Sequence, residues 1–360
     1  MKIPELNIGG LIVKIPLIQG AMGVGISGSR LASAVANQGG VGVIAGVGMG
    51  YREPDYDTDP LSANLRALKS EIRKARETAP TGIIGINLMV AINNYGEMAY
   101  AAAKEGVDII ISGAGLPTKL PEFVKGFNTR IAPIVSSAKA AKVLLRYWEN
   151  HYQKCADMVI VEGPEAGGHL GFSAEILKDP NKPTLMDIIK EVIEVVKPFE
   201  EKFYRNIPVV AAGGIYNGSD ITKYLMAGAS GVQMGTRFVC TNECDINDNF
   251  KNAYLQAQKD DITIIKSPVG MPGRALNNKF IKKVTASGGQ IHDCYQCLIG
   301  CDHHKAPYCI SKALINSAKG NVDEGVVFMG SNAYRVNKII SVKELIDELI
   351  SETEIALSKN

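Results

Sequence analysis

The 360-residue chain has no run of about 18 consecutive apolar residues, so no transmembrane helix is expected. Its first ten residues, MKIPELNIGG, lack the apolar core of an export signal, and a cytoplasmic protein is expected. Neither sign of charge is in excess: 39 Lys and Arg against 37 Asp and Glu leave a net +2. That balance gives no electrostatic reason to expect nucleic acid or an anionic membrane as partner. Histidines are few, five in all. Seven cysteines in a long chain without an export signal argue for free thiols or metal ligands, not a disulfide framework. What remains is ordinary globular material, 46% hydrophobic and 21% charged, with enough chain to bury a core without staples.

Eight short apolar runs recur: residues 15–19, 41–45, 82–87, 107–112, 131–135, 157–162, 207–213 and 231–236. Most are continuously apolar, the pattern of strands covered on both faces in a parallel sheet. Helix-like segments lie between most of them. Ser27 and Ser29 offer N-caps for the first; another runs up to Pro80. Eight strands alternating with helices predict an α/β fold, the (β/α)8 or TIM barrel. An open doubly wound sheet is the competitor. Gly23-x-Gly25-x-x-Gly28 follows the first strand at dinucleotide-binding spacing, but no acid ends the second strand. Residues 241–310 break the rhythm and read as an insertion, so the barrel is assigned 1–240 and 311–360. Ser341 and Glu344 form a capping box for a C-terminal helix.

In such a barrel, chemistry sits where the strands end. Nearly every run here ends in glycine or a small polar residue, which lets backbone amides approach a ligand. The ends at Gly213-Gly214 and Gly235-Thr236 close strands seven and eight, where barrels often hold a phosphate; Arg237 would add charge. Glycines there also suit tight turns. The sixth run ends in EGPEAGGHLGF, residues 162–172, with His169 among glycines. An imidazole at a barrel mouth can donate or take a proton near neutrality; a lone histidine is also often structural. Glu162 reads as a ligand acceptor or a salt-bridge member, and Asn87 as a reader of an amide-like ring edge or a turn cap.

Six motifs in order, GGVGVIAG, GINLM, SGAGLPTK, EGPEAGGHLGF, VAAGGI and QMGTRF, resemble the nitronate monooxygenase (2-nitropropane dioxygenase) family, including its FMN-dependent enoyl-acyl-carrier-protein reductase II branch. The resemblance covers roughly residues 10–240. It implies a TIM-barrel flavoprotein with non-covalent FMN held at Ala21, Met22, Asn87, Glu162, Gly167, Gly213, Gly214, Gln233, Met234, Gly235 and Thr236, with His169 catalytic. It implies a small-molecule substrate: a nitronate oxidised with oxygen, or an enoyl thioester reduced with NAD(P)H as donor. A homodimer is among the assemblies it allows. Glu at 162, and an opening IQGAM without proline, lean toward the reductase-like branch.

The insertion carries Cys294, Cys297, Cys301 and Cys309 at C-x2-C-x3-C-x7-C spacing, with His292, His303 and His304 beside them. Four thiolates so close can ligate an iron–sulfur cluster or zinc. They also stand near helical spacing, where cysteine serves as a small apolar residue.

Overall fold

The computed structural model describes residues 3–287, 291 and 294–359. In chain order its strands are β1 (Leu6–Ile8), β2 (Leu11–Val13), β3 (Leu17–Gln19), β4 (Val41–Ala45), β5 (Ile83–Met89), β6 (Ile109–Gly113), β7 (Arg130–Val135), β8 (Val159–Glu162), β9 (Gly168–His169), β10 (Val209–Ala212), β11 (Gly231–Met234), β12 (Ile262–Lys266) and β13 (Pro272–Leu276). Eight of them, β3 to β8 with β10 and β11, pair in parallel into a closed barrel. Closure is explicit, because Leu17–Gln19 of β3 lie in register with Val232–Met234 of β11. That excludes the open sheet, and all eight apolar runs are barrel strands.

The runs are continuously apolar because each strand has two buried faces. Ile18, Val43, Ile109, Ile111, Ile160 and Val210 fill the barrel interior, while Ile44, Ile86, Ile110 and Val161 face the helices. The hairpin β1–β2 adds Leu6, Ile8 and Val13 to the interior cluster. It sits where strands begin: Gly9 O accepts from the Arg130 guanidinium at 3.2 Å.

One strand contact is made by a side chain. β3 and β4 share a single register pair, Ile18 with Val41. Beyond it the fully buried Gln19 takes over: Oε1 accepts from Val43 N–H at 3.0 Å, and Nε2 donates to Gly20 O at 2.8 Å and Ser27 Oγ at 3.0 Å. Ser27 Oγ also accepts from Met22 N–H at 2.9 Å. The serine expected as an N-cap therefore braces the first strand-end loop instead. Gly28 is the N-cap of helix 29–37, and the Asp245 carboxylate accepts from its N–H at 2.9 Å and from Leu31 N–H at 3.2 Å.

The excursion from the barrel is longer than 241–310. The chain leaves at Cys240 and returns at Ile340, where Ile340 N–H donates to Cys240 O at 3.3 Å and Asn242 N–H to Ile340 O at 3.0 Å. Helix Ile310–Ala318 belongs to the excursion because its buried face packs over the mouth, with Leu314 lining the cavity there. Helix Val342–Ser358 then packs on helix Gly218–Met226, with the expected Ser341–Glu344 capping box. No described helix is long and apolar enough to cross a membrane.

Candidate active site

A cavity of about 420 Å³ opens where the barrel strands end. Ala21, Met22, Asn87, Glu162, Gly167, Gly213, Gly214, Gln233, Met234, Gly235, Thr236 and His169 all line it. They come from residues more than 200 positions apart, and parallel strand order alone places their ends on one rim.

His169 does not sit in a slack loop. Its two-residue strand β9 pairs antiparallel with β13, His169 opposite Gly273 and Gly168 opposite Arg274. Leu170 N–H extends the ladder to Pro272 O at 2.8 Å. Gly168 stands at φ +73°, the left-handed region that glycine enters without strain. Nε2 of His169 lies 2.7 Å from Ser267 Oγ, and the ring meets Phe328 edge-on at 4.9 Å between centroids. Burial holds the imidazole down at about 4, so it is neutral at pH 7. Ser267 Oγ also accepts from Val269 N–H at 3.3 Å. If the serine donates to Nε2, the proton of the ring lies on Nδ1; if Nε2 donates, Nδ1 is a base. Ser267 thus governs which role the ring can take.

Glu162 ends β8 and lines the same cavity. Burial pushes its carboxyl up to about 8, with Arg274 pulling less strongly the other way. It has no hydrogen-bond partner among the described residues, so a salt bridge does not account for it. A neutral carboxyl facing a cavity is a donor as well as an acceptor. Asn87 lines the same cavity, and its side chain likewise makes no hydrogen bond among the described residues.

The opposite end is built of backbone. Gly213 and Gly214 stand at φ +94° and +78°, and a Cβ on either would press on Ala166 or Glu165. Gly167 packs so closely on the chain that a Cβ would lie 2.6 Å from Gly330 N. Among the described residues no Lys or Arg lines the cavity. Arg237 corrects its expectation: its guanidinium binds Glu348 Oε1 at 2.9 Å and Tyr216 O at 3.2 Å, stacked 4.7 Å over the Tyr216 ring. Being buried, it needs a carboxylate, and helix 342–358 supplies one. An anion here meets backbone amides and the neutral side chains of Thr236, Ser331 and Asn332.

Residues 328–332 were missed. Met329 N–H donates to Arg274 O at 3.2 Å, Ser331 N–H to Glu165 O at 3.3 Å, and Asn332 Nδ2 to Gly214 O at 2.8 Å, completing the glycine end. The signal existed: VVFMGSN is an apolar run ending in glycine and small polar residues, like the barrel strands. Arg274 was also missed. It donates to Pro164 O at 2.9 Å and to Ala166 O, tying the loop after Glu162 to β13.

Cys294 is exposed and Cys297, Cys301 and Cys309 are half-buried. Cys297 and Cys301 pack against the apolar core. Among the described residues no group of three or more His, Cys, Asp or Glu side chains has the geometry to hold a metal; His292 lies outside them.

The sequence profile of nitronate monooxygenases matches residues 5–352. The chain belongs to the nitronate monooxygenase family. A Rhodococcus jostii (strain RHA1) relative, (3aS,4S,5R,7aS)-5-hydroxy-7a-methyl-1-oxo-octahydro-1H-indene-4-carboxyl-CoA dehydrogenase, is 31% identical over 276 residues, 77% of this chain. The match spans 66% of that relative's length, just under two thirds. A probable nitronate monooxygenase of Staphylococcus saprophyticus is 27% identical over 321 residues, 81% of this chain and 84% of its own. Among solved structures, FabK from Thermotoga maritima superposes with a TM-score of 0.73 at 26% identity, covering 96% of this chain and 95% of that one.

Proposed function

We propose that this family member is an FMN-dependent oxidoreductase that oxidises alkyl nitronates with oxygen. The observation that carries the reading is one cavity bringing a neutral His169 together with every residue the family resemblance assigns to the flavin. The residues present fit the cofactor. Gly167, Gly213 and Gly214 line the cavity, and the left-handed backbone at 213 and 214 suits amides that cradle a phosphate. Asn87 and the unpartnered carboxyl of Glu162 offer donor and acceptor to the polar edge of a ring. Bound FMN would supply the two-electron redox chemistry.

The protein's part is proton control. With Nε2 donating to Ser267, Nδ1 of His169 can take a proton from the carbon beside a nitro group, leaving the nitronate; the proton stays on the imidazole. With a nitronate already formed, the other tautomer binds its oxygens through N–H. Burial keeps the ring neutral until it is called on.

A second reading, NAD(P)H-dependent reduction of an enoyl thioester, is favoured by Glu162 and by the Rhodococcus relative's carboxyl-CoA substrate. In it His169 would hydrogen-bond the thioester carbonyl. Purified protein should show flavin bands. Oxygen uptake with a nitronate and no pyridine nucleotide supports the first reading. Bleaching by NADH or NADPH, without nitronate turnover, supports the second. A colourless protein that takes up no FMN overturns both.

A further inference from the structure

A second cavity, of about 320 Å³, adjoins the first. The two share Gly46, Val47, Met89, Leu314 and His169, so the imidazole stands at their junction. The interior of the second is apolar: Val24, Tyr56, Ile92, Met98, Leu298 and Ile310 line it and are buried. The exposed side chains of Thr58, Asp59, Asn93 and Gln296 form a polar rim, and among the described residues no Lys or Arg lines the chamber.

Its outer wall is the cysteine-bearing segment. Asn93 N–H donates to Cys297 O at 3.1 Å and Ile299 N–H to Ala91 O at 2.8 Å, an antiparallel bridge that sets Leu298 opposite Ile92. Tyr295 Oη donates to Asp57 Oδ1 at 2.8 Å, and its ring lies 5.4 Å from that of Tyr56. Cys297 lines the chamber. One cysteine of the motif expected as a metal ligand set thus faces this compartment.

Protein interiors hold few voids larger than a water molecule. A lined space of this size beside a reactive imidazole implies an occupant. Ligand pockets run to roughly 300–1,000 Å³, so the chamber suits part of a substrate and is small for a pyridine dinucleotide. Among the described residues its lining carries no basic side chain, and the carboxylate of Asp59 at the rim disfavours an anion. We propose that the chamber takes the uncharged apolar chain of the substrate, placing the reacting carbon at His169 and the flavin site. The inference rests on the flavin-dependent reading above, and it holds for either head group. It assigns the enzyme to alkyl- or acyl-chain substrates of medium length in preference to short ones, and makes residues of the 294–310 segment the determinants of length.

The test uses FMN-loaded protein and two probe series, primary nitroalkanes and saturated S-acylpantetheines, each with butyl, octyl and dodecyl chains. Binding is read from perturbation of the flavin absorption bands, apart from turnover. In at least one series the Kd should tighten about fourfold per methylene between butyl and octyl, the equivalent of ~0.8 kcal/mol per buried CH₂. I310W, which fills the chamber, should abolish that increment while flavin absorbance is retained; L298F, facing Ile92, should shorten the preferred chain, and stands in if I310W does not fold. A flat length dependence in both series overturns the proposal, as does an unchanged increment in a flavin-loaded I310W protein. Length-dependent binding of the probes with no turnover of the corresponding nitronates or enoyl thioesters would sink the functional reading and leave the chamber standing. Turnover with no length dependence would do the reverse.

Discussion

His169 and Glu162 are both held neutral by burial, and they respond to pH in opposite ways. The folded pKa of His169 is depressed from 6.5 to about 4, so its contribution is present above 6.5 and lost as pH falls through that window. The folded pKa of Glu162 is raised from 4.5 to about 8, so its contribution is present below 4.5 and lost as pH rises toward 8. The two offset each other between 4.5 and 6.5. Flavin-free protein should therefore be most stable in that interval as far as this pair is concerned, and should weaken from pH 6.5 to 8 by at most about 2 kcal/mol. E162Q should remove the alkaline decline; denaturant titrations across pH check it, and an unchanged slope in E162Q would show that Glu162 is not its source. On activity, H169A should lower kcat/KM by roughly 10²–10⁴, the usual range for a general acid or base. S267A should cost about five- to tenfold, the rate equivalent of one hydrogen bond of ~1 kcal/mol. A larger loss in S267A than in H169A would place the chemistry elsewhere.

At the scale of elements, the unit that matters is the three-stranded sheet β12–β13–β9, which lies outside the barrel and crosses its mouth. Through it, residues 98 and more positions downstream hold the loop that carries the histidine. Arg274 is its anchor. R274M should leave the carbonyls of Pro164 and Ala166 without donors, at about 1–3 kcal/mol for each buried group left unsatisfied. It should also weaken FMN binding, because Gly167 follows Ala166 directly. Thermal unfolding and flavin fluorescence check both; full flavin affinity in a destabilised variant would confine Arg274 to stability. None of this was legible beforehand. EGPEAGGHLGF reads as flexible because its glycines are local facts, whereas the ladder that stiffens it comes from β13, distant in the chain.

At the scale of the whole molecule, helix 342–358 is bound to the barrel through Glu348–Arg237 and through Glu352 Oε2, which accepts from Gly218 N–H at 2.8 Å. E348A should leave Arg237 buried and uncompensated. Because Glu348 is partly exposed, the cost should be moderate, about 1–3 kcal/mol. Flavin affinity should not change, since Arg237 does not face the cavity. A matching loss of flavin affinity would restore the guanidinium to an anion-binding role.

The sequence by itself determined the barrel, its eight strands, and the rim residues that meet at one end. Apolar runs, helix stops and strand-end glycines are encoded locally, and parallel closure leaves strand ends nowhere else to gather. Only the tertiary structure decided where the side chains of that rim turn. Arg237 chooses between an anion and Glu348 by burial; Ser27 leaves a helix terminus for Gln19; Cys297 becomes part of a wall. Each outcome depends on which distant group arrives within hydrogen-bond reach or contact, and no local pattern carries that information.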